Sequence, residues 1–283
     1  MMTEITNVRP SPIAGTWYSA YPDELQRNVD EYINKAVLPD LSGEVIALVA
    51  PHAGYRYSGS VAGYAFKAVA GQQFDYVAVL SPMHHYHTQP LLTSEHHAYR
   101  TPLGDIPIAR KKLGEIGDAL KAQAGLPLTP ITNDNEHSLE IQLPFLQRVI
   151  KGNFELVPIM IRDQSPEVAK ILGKVLADNL RGESFLMVAS SDLSHFYPES
   201  KAKQLDQNVL SALLDFSPER LFELKDLGMG QACGLAAIAA ILWAARKLGG
   251  TDVTLLNYDT SASTTDDYGS VVGYGAAAIT RPI

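Results

Sequence analysis

Six short apolar runs, rich in Val, Ile and Leu and spaced along nearly the whole chain, limit what this sequence can fold into. They are EVIALVAP (44–51), DYVAVLSP (75–82), FELVPIMI (154–161), SFLMVASS (184–191), DVTLLNYD (252–259) and VVGYGAAAI (271–279). Continuous apolar runs, rather than in/out alternation, are what strands covered on both faces look like. Helical patterns lie between them at 23–36, 59–70, 137–150, 166–180 and 201–215, with a further apolar helix beginning near Cys233. This alternation predicts α/β architecture: a single α/β/α sandwich domain over residues 1–283, with a mostly parallel central sheet. The segment PLLTSEHHAYRTPLGDIPI breaks the pattern and reads as a hairpin-like insertion at a sheet edge.

Composition excludes some partners. The net charge of −8 lacks the basic surplus that neutralising a phosphate backbone requires, so nucleic acid is not expected. The N-terminal stretch MMTEITNVRPSPIAGTWYS has no basic flank followed by an apolar core. The longest apolar run, LAAIAAILWAA (235–245), is too short to cross a bilayer and stops at Arg246 and Lys247. A cytoplasmic protein without membrane partners is therefore expected.

The polar residues gather where strands end. EVIALVAP runs into His52, DYVAVLSP into His84, His85 and His87, and SFLMVASS into Asp192 and His195. In an open parallel sheet the strand carboxyl ends share one edge, and ligands bind there. Side chains far apart in sequence therefore converge. Cys233, the single cysteine, follows a glycine-punctuated loop (DLGMGQACG) into a buried helix, where a helix N-terminus or a metal would lower its thiol pKa.

Each residue also has a plainer explanation. A histidine after a strand is more often a hydrogen-bonded structural residue than a ligand, and an unpaired cysteine is most often an inert core residue. Convergence on one edge shifts the balance toward a metal or catalytic centre. Neighbours in an extended segment face opposite ways, so only one of His84 and His85 points inward easily. His85 and His87 are then flanking or rim groups, and His96 and His97 are surface residues. In NDNEHSLEIQLPFLQRVI, Asn133 followed by Glu136 fits a helix-capping pattern. Glu136, His137 and Glu140 share one helical face, so His137 and Glu140 are substrate-contact candidates if that helix end faces the cleft. The loop STTDDYGS is placed to cover the pocket.

The blocks GTWYSA, APHAGYRYSG, SPMHHYH, RTPLGDI, NEHSLEIQLPFL, SSDLSHF, ACGLAA and LNYDTSAS resemble, in order and spacing, those of the Memo-like family, including its members known as AmmeMemoRadiSam system protein B. That family is similar in fold to the LigB-like class III extradiol dioxygenases, which open catechol rings with a non-haem Fe(II) held by two His and one Glu. The resemblance implies that His52 and His84 are metal ligands and that Cys233 stands where the ring-cleaving enzymes have glutamate. It places the acid/base histidine at His195, with Asp192 three residues before it, able to orient the imidazole or to face the same cavity. Tyr55, His85, His137 and Glu140 are the substrate-pocket candidates.

A thiolate in place of a carboxylate softens the site, so a divalent metal is expected, Fe(II) first, with Zn or Cu as alternatives. Three functions follow: a non-haem iron redox enzyme of dioxygenase descent, a zinc-type hydrolase with His195 or Glu140 as base, and a module that holds a peptide or small-molecule ligand without turnover. The resemblance also implies association with AMMECR-type and radical-SAM proteins.

Overall fold

The structure, a computed structural model, describes residues 6–283. Its strands are β1 (Val8–Arg9), β2 (Glu44–Ala50), β3 (Tyr76–Pro82), β4 (Leu91–Ser94), β5 (Ala98–Thr101), β6 (Gly104–Pro107), β7 (Leu128–Ile131), β8 (Glu155–Ile161), β9 (Phe185–Ser190), β10 (His195–Tyr197), β11 (Asp252–Thr260) and β12 (Val271–Arg281). The six apolar runs are β2, β3, β8, β9, β11 and β12. The large sheet has the order β10-β12-β2-β9-β3-β8-β4-β7, with β11 also paired to β12. Its centre, β2-β9-β3-β8, is parallel. Antiparallel pairing appears toward both ends, between β12 and β2 and between β4 and β8.

Handedness sets the layers. The connection from β2 to β3 runs one way across the sheet and that from β8 to β9 runs back. Right-handed crossovers then put helix Tyr55–Lys67 and helix Pro166–Leu180 on opposite faces. The second face also carries helix Leu235–Lys247, buried along most of its length, as expected for a helix that is apolar all round. It crosses Pro166–Leu180 so closely that a Cβ on Gly173 would stand 2.4 Å from the Ala240 carbonyl oxygen. A glycine is required there. Among the described residues no helix is long and apolar enough to cross a membrane.

Three details depart from the sequence reading. The insertion is divided: β4 joins the large sheet, while β5 and β6 form a hairpin in a separate sheet with β1. The pattern over 137–150 is two helices, His137–Glu140 and Leu143–Val149. Pro144 lacks the N–H that would bond back to residue 140, and this breaks the ladder. Helices Arg110–Ala124 and Pro218–Asp226 were not anticipated; the first contains Gly114 and Gly117, which weaken its propensity signal.

Buried apolar side chains from Ile13 to Ile279 form one contiguous cluster. We therefore expect limited proteolysis to cut the loop at Tyr86, which is 81% exposed, without releasing two separately folded halves. A stable pair of fragments divided between β7 and β8 would contradict a single folding unit.

Candidate metal centre

β9 lies between β2 and β3, so the residues that follow these three strands meet over its carboxyl end. The β2 connection leaves over one face and the β9 connection over the other. The crevice between such oppositely directed connections is the usual ligand site of an open α/β sheet. His52 follows β2, His84 follows β3 and Asp192 follows β9. Cys233 arrives from the loop before helix Leu235–Lys247, two residues ahead of its first turn. Gly234 permits this approach, since a Cβ there would stand 2.3 Å from the Ser190 carbonyl oxygen. The loop is tied down by bonds from Cys233 N to Asp192 O (3.2 Å) and from Gly234 N to Ser191 Oγ (2.9 Å).

His52, His84 and Cys233 each offer one ligand atom, all within 4.8 Å of one another. The hydrogen bonds behind the rings determine which nitrogens are free. Ser190 Oγ donates its one proton to the Ser138 carbonyl. It accepts from Gln142 Nε2 at 2.7 Å, whose orientation is set by the Pro51 carbonyl at 3.0 Å. The remaining contact, His52 Nδ1 at 3.0 Å, must therefore be a donor. His84 Nδ1 lies 2.9 Å from Glu136 Oε1, and His84 N donates to Glu136 Oε2 at 2.6 Å. Burial alone would raise the Glu136 carboxyl, but the His84 hydrogen bond, together with backbone amides of Ser138 and His84, holds it far below the usual range. It is an acceptor only, so His84 Nδ1 also donates. His52, uncharged because burial lowers its pKa well below the usual value, thus keeps a lone pair on Nε2, and the His84 ring is held through Nδ1 by Glu136, the arrangement in which a carboxylate or hydroxyl orients a metal-binding imidazole.

Cys233 Sγ is 3.0 Å from His52 Nε2 and accepts from Asp192 N at 3.2 Å. Burial, with the Asp192 carboxyl adding to it, pushes its thiol up rather than down. Cys233 lies just outside the helix, directly before its N-cap Gly234. The thiol keeps its proton at neutral pH unless a cation displaces it. Two imidazoles oriented through Nδ1 and one displaceable thiol proton fit a divalent cation.

A cavity of about 550 Å³ opens over this group. His52, His84, His137, Asp192 and His195 line it, with Trp17, Tyr57, Phe196 and Tyr274. The predicted covering loop contributes Thr265, Asp267 and Ser270. His137 lies between Trp17, tilted against it at 4.1 Å between centroids, and His84, stacked on it at 4.7 Å, and burial pushes it down to about 4, more than Glu136 restores. Burial pushes Asp192 up to about 7, against bonds donated by the His52 and Ala53 amides. Burial also lowers His195.

Several expected roles change. Asp192 faces the cavity but turns toward His52, with Oδ2 4.0 Å from Nε2, so it does not orient His195. Glu140 is wholly buried against Arg9 and accepts from Tyr18 at 2.6 Å and from Ser11, which removes it from substrate contact and from the role of base. Tyr55 points into the protein and donates to the Ile141 carbonyl at 2.8 Å. His85 is exposed outside the cavity. The cap of helix His137–Glu140 is Glu136, accepting from Ser138 N, not Asn133. The aromatic lining was not read from sequence, although Trp17 and Tyr57 lie inside the quoted blocks GTWYSA and APHAGYRYSG.

The sequence profile described as Memo-like protein matches residues 9–278. A MEMO1 family protein of Nitrosopumilus maritimus (strain SCM1) is 31% identical over 273 residues, covering 95% of this chain and 98% of the relative. A MEMO1 family protein of Methanococcoides burtonii is 32% identical over 274 residues, covering 96% and 100%. Among solved structures, the uncharacterized protein JW3007 from Escherichia coli K12 is similar with a TM-score of 0.53 and 16% identity, covering 83% of this chain and 99% of that one. That likeness concerns fold alone.

Proposed function

This chain belongs to the Memo-like family, and from that premise we propose that it is a metal-dependent oxidoreductase of dioxygenase descent, its divalent metal held by His52 Nε2, His84 Nε2 and Cys233 Sγ. The observation that carries the reading is the locked ring orientation: Ser190 and Glu136 each hold an imidazole through Nδ1, with His52 Nε2 3.0 Å from Cys233 Sγ and a ligand atom of His84 within 4.8 Å of both. Iron(II) is the first candidate; zinc and copper suit the same donors.

When bound, the metal supplies Lewis acidity and, if it is iron or copper, electrons to ligands on its open side. The remaining chemistry belongs to this chain. Before a cation binds, burial pushes the Asp192 carboxyl up to about 7, and its place beside His52 lets it hold or release a proton at a carboxylate oxygen. His195, uncharged at neutral pH, accepts a proton at its imidazole from a group in the cavity. A hydrolase reading is weakened by the loss of Glu140 as a base, since Arg9 and Tyr18 occupy its oxygens.

Anaerobic purification followed by elemental analysis tests the proposal: about one iron per chain is expected, and a chain that binds no transition metal refutes it. His195→Ala should keep the metal. At matched loading it should lose on the order of a hundredfold in any turnover. If it strips the metal as completely as His52→Ala does, His195 is a ligand rather than a proton carrier.

A further inference from the structure

Tyr274 lies in β12, is 2% exposed, and lines the cavity with its side chain. Alternation along the strand sets that direction. Val272 lines the cavity with it, while Gly273 and Gly275 face helix Glu199–Leu214 on the other side. A Cβ on Gly275 would stand 3.2 Å from Leu210, and one on Gly273 would collide with the Asp206 carboxylate. Continued by three residues, the register that pairs Ala277 of β12 with Val49 of β2 brings Tyr274 opposite His52. On its other flank Tyr274 pairs with Asp259 of β11. The ring therefore enters the cavity from a backbone that two strands hold.

A buried phenol is normally hydrogen-bonded. Ser261, whose Oγ accepts from Val272 N at 3.1 Å, faces the Tyr274 oxygen as a donor, and among the described residues no acceptor takes the phenol's own proton. Burial outweighs the Ser261 contact and keeps the group a phenol at neutral pH, so it can donate. An unpaired donor in a cavity wall is aimed at whatever fills the cavity.

We propose that Tyr274 is the hydrogen-bond donor to the ligand: its phenol binds an oxygen presented over His52, and the ligand is a carbonyl compound or an oxyanion at that point. The proposal rests on the reading that His52, His84 and Cys233 hold a cation, and it adds the residue that recognises what binds above them. A donor fixed in place costs no reorganisation when negative charge develops on that oxygen, and in a site shielded from water it stabilises that charge strongly.

The test uses cobalt(II) as probe metal and azide as probe ligand. Azide is small, carries its charge on terminal nitrogens that accept hydrogen bonds as an oxyanion does, and changes the visible absorption of cobalt when it binds. Titration of the cobalt-loaded protein gives azide affinity, the infrared stretch of bound azide reports the hydrogen bond, and metal content is measured on the same samples. Tyr274→Phe should bind azide roughly tenfold or more weakly and shift the stretch. Its cobalt affinity and melting midpoint should match those of the unaltered protein, because the hydroxyl has no acceptor within the fold. Equal azide affinity in the two proteins overturns the proposal, as does a cobalt-loaded protein that binds no azide. A loss of cobalt affinity in Tyr274→Phe makes the phenol a ligand, and a fall in melting midpoint makes it structural; either result also overturns the donor role. Unaltered protein that takes up no cobalt removes the metal reading itself, and the Tyr274 proposal falls with it.

Discussion

Cys233→Ser and His52→Ala each lower zinc(II) or iron(II) affinity by more than about a hundredfold, because loss of a residue that only orients a ligand already costs roughly 10–100-fold. Glu136→Gln, which changes the partner of His84 Nδ1 without removing a ligand atom, should fall within that smaller range. A chelator competition titration under anaerobic conditions measures all three, with circular dichroism to verify folding. The pH dependence gives an independent check. Burial holds the Cys233 thiol protonated through the neutral range, and His52 is uncharged there because burial lowers its pKa well below the usual value. Binding therefore releases the cysteine proton, and affinity rises with pH by about tenfold per unit. In Cys233→Ser this slope should vanish with the thiol. Undiminished affinity in folded Cys233→Ser would remove the sulfur from the site.

The largest expected loss of stability follows Arg9→Ala. Arg9 is 1% exposed and pairs with Asp134 at 2.7 Å and with Glu140, while its Nη2 donates to the Glu136 carbonyl at 2.9 Å. Its guanidinium also lies 4.6 Å from the centre of the Tyr99 ring. Removing it strands two buried carboxylates, and breaking a buried pair in this way costs about 3–5 kcal/mol. At about 2–4 °C per kcal/mol for a chain of this size class, the melting midpoint should fall by roughly 6–20 °C. Since the same guanidinium holds the backbone of Glu136, metal affinity should fall as well. Urea unfolding measures the first effect and the chelator titration the second. A loss below about 1 kcal/mol would mean that water or rearrangement satisfies the carboxylates.

Much of the fold was legible in the residues themselves. β2, β3, β8 and β9 are buried on both faces, and strands of that kind need continuous apolar runs, so their sequences declare them. Parallel strands place their carboxyl ends on one edge, and that rule brought His52, His84 and Asp192 together from sequence position alone. The glycine-punctuated loop leading into a buried helix brought Cys233 to the same edge, and in the structure Gly234 permits its close approach. What sequence could not decide was the partner of each polar side chain. Glu140 looked like a cleft residue by helical spacing, yet Arg9, 131 positions away, claims it. Asp192 is three residues from His195 but bonds to the amide of His52, 140 positions away. Tyr55 and Tyr57 are two positions apart on one helix, and only packing sends the first into the core and leaves the second at the cavity. Local sequence sets backbone preference and burial through periodicity, a property of neighbouring residues. Pairing of buried charges and hydrogen-bond donors depends on which distant groups the folded sheet brings within about 3 Å, and that is decided only when the layers close.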